Sequence, residues 1–341
     1  MIQLTLVSTA DCWICGLPHL GRFDYECIPQ QSLMELVIGE IENRELVCGS
    51  RDEPSDVIDW EGVEVDGETL DVIKINWNSM HLKGPIELKW LPAAVSEVML
   101  VYNSLTGSVD FTCLPAGLRS LSISKNEFTG TADLSALPDG MEKVYISHNG
   151  FSGSLELRKL PAFLHELVAY ANRFSGCIWL TDLPAGLVIL DLSNNQFCGP
   201  LDLSRLPKTM KWLQMNDNQF AGSADLMHLP DELAALSVSE NQLTGSVNLA
   251  SLPPCLESLE LANNMFSGSV DLTGLPGRLF CLRLNENNFS GEADFNHIPE
   301  SMGYLDVRKT NLSGEIYTDE SKVERFAVED SNVKLRSTAE K

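Results

Sequence analysis

Apolar and polar residues alternate over short stretches that recur along most of the chain. Leu121 and Ile123, for example, are separated and flanked by serines. A two-residue period of this kind predicts a short β-strand with one buried face. Because similar stretches return at a constant interval, we expect the strands to stack side by side into a parallel sheet.

The interval is fixed at 23 residues. Glycine recurs with this spacing from Gly84 to Gly314, and asparagine recurs with it from Asn103 to Asn287. An apolar residue followed by proline keeps the same step, beginning at Leu91. Three columns that stay in phase without insertion or deletion predict one elongated solenoid of stacked turns.

Each column has a predicted structural task. The asparagine follows the strand, where its amide is expected to turn inward and satisfy backbone groups, with stacked copies forming a ladder. A large apolar residue two places later is expected to form an internal column. Its aromatic members are Phe128, Phe151, Phe174, Phe197, Phe220, Phe266 and Phe289. After the glycine, segments such as Val109–Phe111 and Val270–Leu272 are predicted to form a second short strand.

Two motifs carry a resemblance to a known family. The segment Asn264–Gly268 reads Asn-Met-Phe-Ser-Gly, and the segment Leu183–Leu192 reads Leu-Pro-x-x-Leu-x-x-Leu-x-Leu. The first resembles the plant type of leucine-rich repeat, and the second resembles the type found in some bacterial effectors. The resemblance covers residues 72 to about 314. It implies an α/β-type repeat solenoid, an arc with a parallel β-sheet on its concave face, short second strands or turns on the other edge, and little helix outside the N-terminal cap.

The columns also divide the chain. We expect an N-terminal cap region at residues 1–70, an array of about 11 repeats at residues 71–317, and a C-terminal cap and tail at residues 318–341. Helically spaced apolar residues between Pro29 and Leu46 predict a short helix in the first cap, although Gly39 weakens it. A final strand is predicted near Phe326, and the polar tail after it is expected to fray or to shield the end of the sheet.

Charge restricts the partners. The chain of 341 residues has 48 acidic and 24 basic residues, giving a net charge of −24. Nucleic acid and anionic membrane surfaces both attract basic proteins, so neither is an expected partner. A protein partner with a basic or apolar surface is favoured. No membrane span is expected, and the short apolar stretch Met1–Val7 lacks the basic flank of a signal peptide.

The nine cysteines bear on the compartment. Five of them occupy different positions of separate repeats, which favours free thiols in a reducing compartment. These are Cys113, Cys177, Cys198, Cys255 and Cys281. The Trp60–Val63 segment resembles the Trp-x-Gly-Val of plant-type caps, but that family places a disulfide-bonded cysteine where this chain has Val65. An intracellular, cytoplasmic location is therefore favoured over secretion.

A second group of cysteines lies in the first cap. Cys12 and Cys15 form a Cys-x-x-Cys, and His19, Cys27 and Cys48 follow it. This is the start of a zinc or redox motif, but the later spacing does not match either site. Packing within the cap, or plain thiols, is the preferred interpretation, and no metal or other cofactor is predicted.

One further column is acidic, and its members are Asp110, Asp133, Glu156, Asp202, Asp225, Asp271 and Asp294. Carboxylates stacked at strand spacing repel each other unless hydrogen bonds or cations offset the repulsion. We expect them to cap the turn that follows. Calcium binding is the alternative, although one ligand per layer is few for an oxygen-rich cage.

Function must be sought where the repeat varies, because the regular columns build the solenoid. A candidate partner-binding patch lies on outward strand positions of consecutive repeats, and consists of Tyr145, Val168, Tyr170, Ile189, Trp212 and Asp191. Asp217, Glu240 and Glu260 could border it, and Met99, Val101 and Tyr102 could extend it. Exposed aromatic residues are common anchors of interfaces. Chance composition or packing against the first cap is the alternative explanation.

The sequence contains no recognisable catalytic nucleophile, metal signature or phosphate-binding loop. We therefore expect a non-catalytic scaffold or adaptor that binds a partner on the concave face. The alternative is a secreted or cell-surface recognition protein that binds peptide or glycan.

Overall fold

The computed structural model describes residues 28–338, which wind into a solenoid with two sheets. Each turn contributes one strand to a first sheet of 13 strands and one to a second sheet of 12 strands. The first sheet contains β1 (Val63–Val65), β2 (Val72–Asn76), β4 (Glu97–Met99), β6 (Ser120–Ser122), β8 (Lys143–Tyr145), β10 (Glu166–Val168), β12 (Ile189–Asp191), β14 (Trp212–Gln214), β16 (Ala235–Ser237), β18 (Ser258–Glu260), β20 (Cys281–Arg283), β22 (Tyr304–Asp306) and β24 (Phe326–Ala327). The second sheet contains β3 (Lys83–Pro85), β5 (Ser104–Ser108), β7 (Glu127–Thr131), β9 (Gly150–Gly153), β11 (Arg173–Cys177), β13 (Gln196–Gly199), β15 (Gln219–Ser223), β17 (Gln242–Gly245), β19 (Met265–Gly268), β21 (Asn288–Glu292), β23 (Asn311–Thr318) and β25 (Asn332–Ser337).

The two sheets follow different registers. In the first sheet Leu167 is the partner of Leu190, so the same column of successive turns is adjacent. In the second sheet Gly176 is the partner of Phe197, a spacing of 21 residues rather than 23. Neighbours in the second sheet therefore come from different columns of the repeat.

Helix is confined mainly to the start of the described chain. Helix α1 (Gln30–Ile38) begins directly after Pro29 and ends before Gly39, and α2 (Glu45–Cys48) is a single turn. The helix expected in this region is confirmed. Elsewhere the chain makes short 3₁₀ turns, which are Val57–Asp59, Leu88–Trp90, Phe111–Cys113, Leu134–Ala136, Leu157–Lys159, Phe295–His297 and Glu320–Arg325. Among the residues that the structure describes, no helix has the length and apolar character needed to cross a membrane.

The expected aromatic column forms the centre of the core. The rings of Phe151 and Phe174 are stacked with centroids 6.2 Å apart, and Phe174 stacks on Phe197 at the same distance. All three side chains are fully buried. Apolar burial at this column therefore links each turn to the next one.

The asparagine ladder is also confirmed. Asn172 Nδ2 donates to the carbonyl oxygens of Ile146 at 3.0 Å and Ala169 at 3.1 Å, while its Oδ1 accepts the N–H of Phe151 at 3.1 Å. One amide thus satisfies backbone groups of two turns. Thr310, which replaces asparagine near the end of the array, donates only from its hydroxyl to Val307 O at 2.7 Å.

The predicted position of the second strand is wrong. Segments Val109–Phe111 and Val270–Leu272 lie outside the strands, and the second sheet is instead built from the residues around the glycine, as in β5 and β19. Asp110 explains the first case, because its side chain accepts the N–H of Thr112 at 3.0 Å and starts a 3₁₀ turn. A backbone donor that would extend the strand is thereby used in the turn.

Both sheets continue past the last glycine motif. Strand β24 pairs with β22, as expected for a final strand near Phe326. Strand β25 pairs with β23 over six residues, from Ser313–Asn332 to Thr318–Ser337. Within the described part of the tail, the polar segment therefore shields the end of the second sheet.

Candidate functional site

Five of the six predicted patch residues lie on three pairs of adjacent strands in the first sheet, and Tyr170 follows one of these strands. Tyr145, Val168 and Asp191 are register partners at the ends of β8, β10 and β12, so they form one row across three strands. Ile189 and Trp212 are partners at the starts of β12 and β14 and form a second row. Adjacent strands lie about 4.8 Å apart, so side chains within a row are in contact range.

Exposure differs among these residues. The Trp212 side chain is 42% exposed, whereas Tyr145, Val168 and Ile189 are half-buried. Tyr170 lies two residues beyond Val168 and was expected to face solvent like Trp212. It is instead half-buried, because its ring packs edge-on against His148 of the preceding turn with centroids 4.7 Å apart. Trp212 is therefore the most exposed member of the predicted patch.

Tyr145 is fixed by a charged neighbour. Its hydroxyl donates a hydrogen bond to the Glu166 carboxylate, which also forms an ion pair with Lys143 at 3.1 Å. Burial raises the pKa of Glu166, but the hydrogen bonds from Tyr145 and Lys143 outweigh burial and leave that pKa below its ordinary value. Burial and the adjacent carboxylate raise the pKa of Tyr145. The pair is thus a neutral phenol that donates to an anion.

Asp191 has a different environment. Its Oδ1 accepts the N–H of Ser193 at 3.0 Å and the Ser193 hydroxyl at 2.6 Å. Burial raises the pKa of Asp191 in spite of these two bonds. Between residues 28 and 338, no basic side chain forms an ion pair with it. A partly desolvated carboxylate without a cation is costly, and a basic group of a ligand would offset that cost.

Small residues follow Trp212 along the sheet. Ser237 and Ser239 lie on the outward face, yet they are only 4% and 7% exposed. Ser239 Oγ has no hydrogen-bond partner in the described chain. The sequence shows these serines as small and polar but gives no sign of their burial. Ala235, which has the smallest side chain of the three, is the register partner of Trp212 on the next strand.

The predicted acidic border lies on the same turn as Trp212 and on the two turns that follow. Asp217 and Glu240 are exposed, and Glu260 is half-buried on β18. The Glu240 carboxylate accepts a hydrogen bond from Asn263 Nδ2 of the next turn. All three carboxylates belong to turns that follow or include Trp212, so the border lies on one side of the patch.

The predicted extension is not contiguous with the patch. Met99 is the register partner of Ser122, and Ser122 is the register partner of Tyr145. The strand that contains Ser122 therefore separates Met99 from the patch. Tyr102 is exposed and has Lys125 Nζ 5.7 Å from its ring centroid. Met99, Val101 and Tyr102 therefore belong to a separate area of the same face.

The acidic column caps turns, as predicted. Asp271 Oδ1 accepts the N–H of Thr273 at 2.9 Å and its hydroxyl at 2.6 Å, and the Thr273 bonds lower the Asp271 pKa. Each of the other acids accepts the N–H two residues on. Across residues 28–338, no group of three or more histidine, cysteine or acidic side chains is arranged to hold a metal ion.

Trp179 interrupts the acidic column, and its side chain is 52% exposed. The Arg158 guanidinium lies 5.9 Å from its ring centroid. Trp179 lies outside both sheets, whereas the patch lies on the first sheet. The two are therefore separate surfaces.

Among the cap cysteines Cys12, Cys15, Cys27 and Cys48, only Cys48 lies within the described residues, and it is buried. Its thiol contacts the carbonyl oxygens of Arg44 and Ser50 at 3.2 Å. Burial raises the pKa of the Cys48 thiol. Cys12, Cys15, His19 and Cys27 lie outside the described residues.

Comparison with known proteins supports the architecture. Residues 186–206 match the Leucine Rich Repeat family model. No curated protein sequence matches the chain. Among solved structures, the complex of PEPR1 with AtPEP1 superposes with a TM-score of 0.62 at 19% identity, covering 90% of this chain and 51% of that one.

Two further structures show the same fold. The Arabidopsis receptor kinase HAESA, in complex with the peptide hormone IDA and the co-receptor SERK1, gives a TM-score of 0.53 at 22% identity and covers 90% of this chain and 65% of that one. A plant ice-binding protein gives 0.59 at 20% identity and covers 91% of this chain and 96% of that one. The chain thus spans about half of PEPR1 and less than two thirds of HAESA. The fold expected from the sequence is confirmed, an arc with a parallel sheet on its concave face, while identities this low do not transfer a ligand.

Proposed function

Because this chain is a leucine-rich-repeat protein, we propose that it is a non-catalytic binding protein that holds a protein or peptide partner on the concave face of its first sheet. The observation that carries the proposal is the exposed Trp212 indole, which lies between its register partners Ile189 and Ala235 and diagonal to the half-buried Asp191 carboxylate. Tryptophan is among the residue types that are most enriched in binding hot spots.

The chemistry of this surface favours a partner with both apolar and basic groups. Trp212 and Ile189 offer apolar area, and Asp191 lacks a cation of its own in the described chain. The exposed carboxylates of Asp217 and Glu240 add negative charge on one side. A lysine or arginine beside an apolar residue of the partner would match this arrangement.

The peptide complexes of PEPR1 and HAESA support the same kind of function, since both proteins have the fold of this chain and their structures contain peptides. They equally support the alternative, a secreted or cell-surface recognition protein that binds peptide or glycan. An extracellular and an intracellular location differ in whether cysteines form disulfides or stay as free thiols. Disulfides among Cys12, Cys15, Cys27 and Cys48 in the native protein would favour the extracellular setting, and free thiols would favour the intracellular scaffold.

A peptide-display selection on the full chain tests the proposal. Enriched peptides are expected to combine basic and apolar residues, and Trp212→Ala is expected to weaken them about thirtyfold, equivalent to loss of about 2 kcal/mol of binding free energy. Trp179→Ala is the matched control, because it removes an exposed indole outside both sheets. Equal loss in both variants, or no loss in either, would contradict the proposed surface. A glycan array run with the same variants separates the alternative.

A further inference from the structure

Two cysteines of the second sheet are adjacent although the sequence places them in different columns. Cys177 ends β11 and follows the glycine of its turn, while Cys198 in β13 precedes the glycine of the next turn. The 21-residue register of this sheet makes them partners. We propose that Cys177 and Cys198 form a redox-active dithiol that closes to a cross-strand disulfide between two turns of the solenoid.

The backbone geometry fits such a bond. Neighbouring strands lie about 4.8 Å apart, and disulfides join Cα atoms separated by about 4.4–6.8 Å. Both side chains lie on the accessible side of the sheet, with Cys177 exposed and Cys198 half-buried. The strands therefore need no large movement to bring the two sulfur atoms together.

The Cys177 sulfur already points toward β13. Gly199 makes room for this sulfur, because Cys177 Sγ lies 2.8 Å from the point that a Cβ at position 199 would occupy. Any other residue at position 199 would displace the sulfur, and it would also have to adopt a φ of +88°.

The other described thiols lack this arrangement. Cys113 is exposed in a 3₁₀ turn and contacts Asp110, while Cys281 is half-buried in the first sheet. Cys255 lies in a loop outside the strands. Cys113, Cys255 and Cys281 serve as internal controls in the same molecule, whereas Cys48, the fourth described thiol outside the pair, is buried in the N-terminal cap.

The oxidant is a small-molecule disulfide such as oxidised glutathione. The Cys177 thiolate attacks one sulfur of glutathione disulfide, forming a mixed disulfide and releasing one glutathione thiolate. Cys198 then loses its proton and attacks the Cys177 sulfur, releasing the second glutathione. The protein loses two hydrogens, which the two glutathione thiols carry away, and glutathione disulfide is reduced. The product joins the turns that contain Tyr170 and Ile189, and thus stiffens the part of the solenoid behind the candidate surface.

A thiol titration of the full chain tests the proposal. The protein is equilibrated at a series of ratios of reduced to oxidised glutathione, alkylated and digested with trypsin. Cleavage after Arg173 and Arg205 leaves both cysteines in one peptide, Phe174–Arg205, so the dithiol form carries two alkyl groups and the disulfide form carries none. The disulfide is expected to form at a ratio at which Cys113, Cys255 and Cys281 remain alkylated.

A comparison with unfolded chain isolates the contribution of the fold. The equilibrium constant for disulfide formation is expected to be at least about tenfold higher in the native protein than in urea, where only chain connectivity brings the cysteines together. Cys177→Ser and Cys198→Ser should each leave the other cysteine alkylated or glutathionylated. An equal constant in the native and unfolded states, or stable mixed disulfides on both cysteines of the native parent protein, would overturn the proposal.

Discussion

The Tyr145 hydroxyl at the end of one strand donates a hydrogen bond to the Glu166 carboxylate at the start of the next. Lys143 contacts the same carboxylate at 3.1 Å, so Glu166 is stabilised as an anion from two sides. The hydroxyl group of the patch residue Tyr145 is therefore used in a hydrogen bond within the folded protein. The contribution of this hydrogen bond to the free energy of unfolding depends on pH, because the pKa of Glu166 is lowered in the folded protein.

Tyr145→Phe is expected to lower the free energy of unfolding by about 1–2 kcal/mol near neutral pH, because the carboxylate loses a donor. A lowered folded pKa stabilises the protein above the unfolded pKa, and that stability is lost as pH falls through the folded pKa. The difference between variant and parent should therefore shrink in acid, as measured by urea unfolding across a pH series. Tyr170→Phe is the control, since no hydrogen bond of the Tyr170 hydroxyl is found in the described structure. A difference that persists unchanged in acid would contradict this account.

Asp191→Asn is expected to raise the free energy of unfolding near neutral pH. Burial raises the pKa of Asp191 in the fold, so ionisation of this residue destabilises the native state and stability is lost as pH rises through the folded pKa. The amide keeps an oxygen that can accept both bonds from Ser193. The variant should unfold at higher urea concentration near neutral pH and lose this advantage in acid. Asp271→Asn, at an exposed cap, should not be stabilising. A less stable Asp191→Asn at neutral pH would refute the prediction.

Asn172→Ala is expected to destabilise the protein by about 3 kcal/mol. The substitution leaves the Phe151 N–H and the carbonyl oxygens of Ile146 and Ala169 without their partner inside the solenoid. Gln196→Ala, which changes an exposed side chain of β13, should alter stability by less than about 0.5 kcal/mol. Chemical unfolding of both variants checks the ladder, and similar midpoints would show that it contributes little.

Phe174→Ala is expected to cost about 3–5 kcal/mol, because it opens a cavity between two stacked rings in the core. Phe163→Ala provides a matched control, since Phe163 is 64% exposed in the same turn. Its removal should change stability by less than about 0.5 kcal/mol. Thermal and urea unfolding measure the pair, and a comparable loss at both sites would contradict the assignment of the core column.

Ala171→Gly is expected to stabilise the protein by about 1 kcal/mol. Ala171 has a φ of +55°, a left-handed conformation that costs a residue with a Cβ and costs glycine nothing comparable. Ala169→Gly is the control, because that buried alanine does not have a positive φ. This control should be destabilising. If Ala171→Gly also lowers the urea midpoint, packing of the Ala171 methyl group outweighs backbone strain.

The sequence was sufficient to predict contacts at the columns where every repeat uses its residue for the same structural purpose. Asn172 and Phe174 were predictable because the same residue types return at the same step, and the structure gives them the contacts expected. The register of the first sheet aligns five of the six patch residues, all except Tyr170, for the same reason, since this sheet pairs equal columns.

The sequence was insufficient where neighbours come from different columns. Cys177 and Cys198 are not equivalent positions, so alignment of the repeats separated them, and only the second-sheet register brings them together. The second strand was misplaced because the cap formed by Asp110 competes with strand pairing for a backbone donor. The partial burial of Tyr170 depends on His148 one turn away, which a periodic pattern does not describe.

The two registers have a consequence for the length of the protein. If a complete block of 23 residues is removed or duplicated within the array, the residues that meet at the new junction have the same spacing as before in both sheets. A deletion of one residue disrupts both sheets together. The number of turns can therefore change in evolution by whole units, adding or removing a strip of binding surface while the interior contacts between turns stay the same.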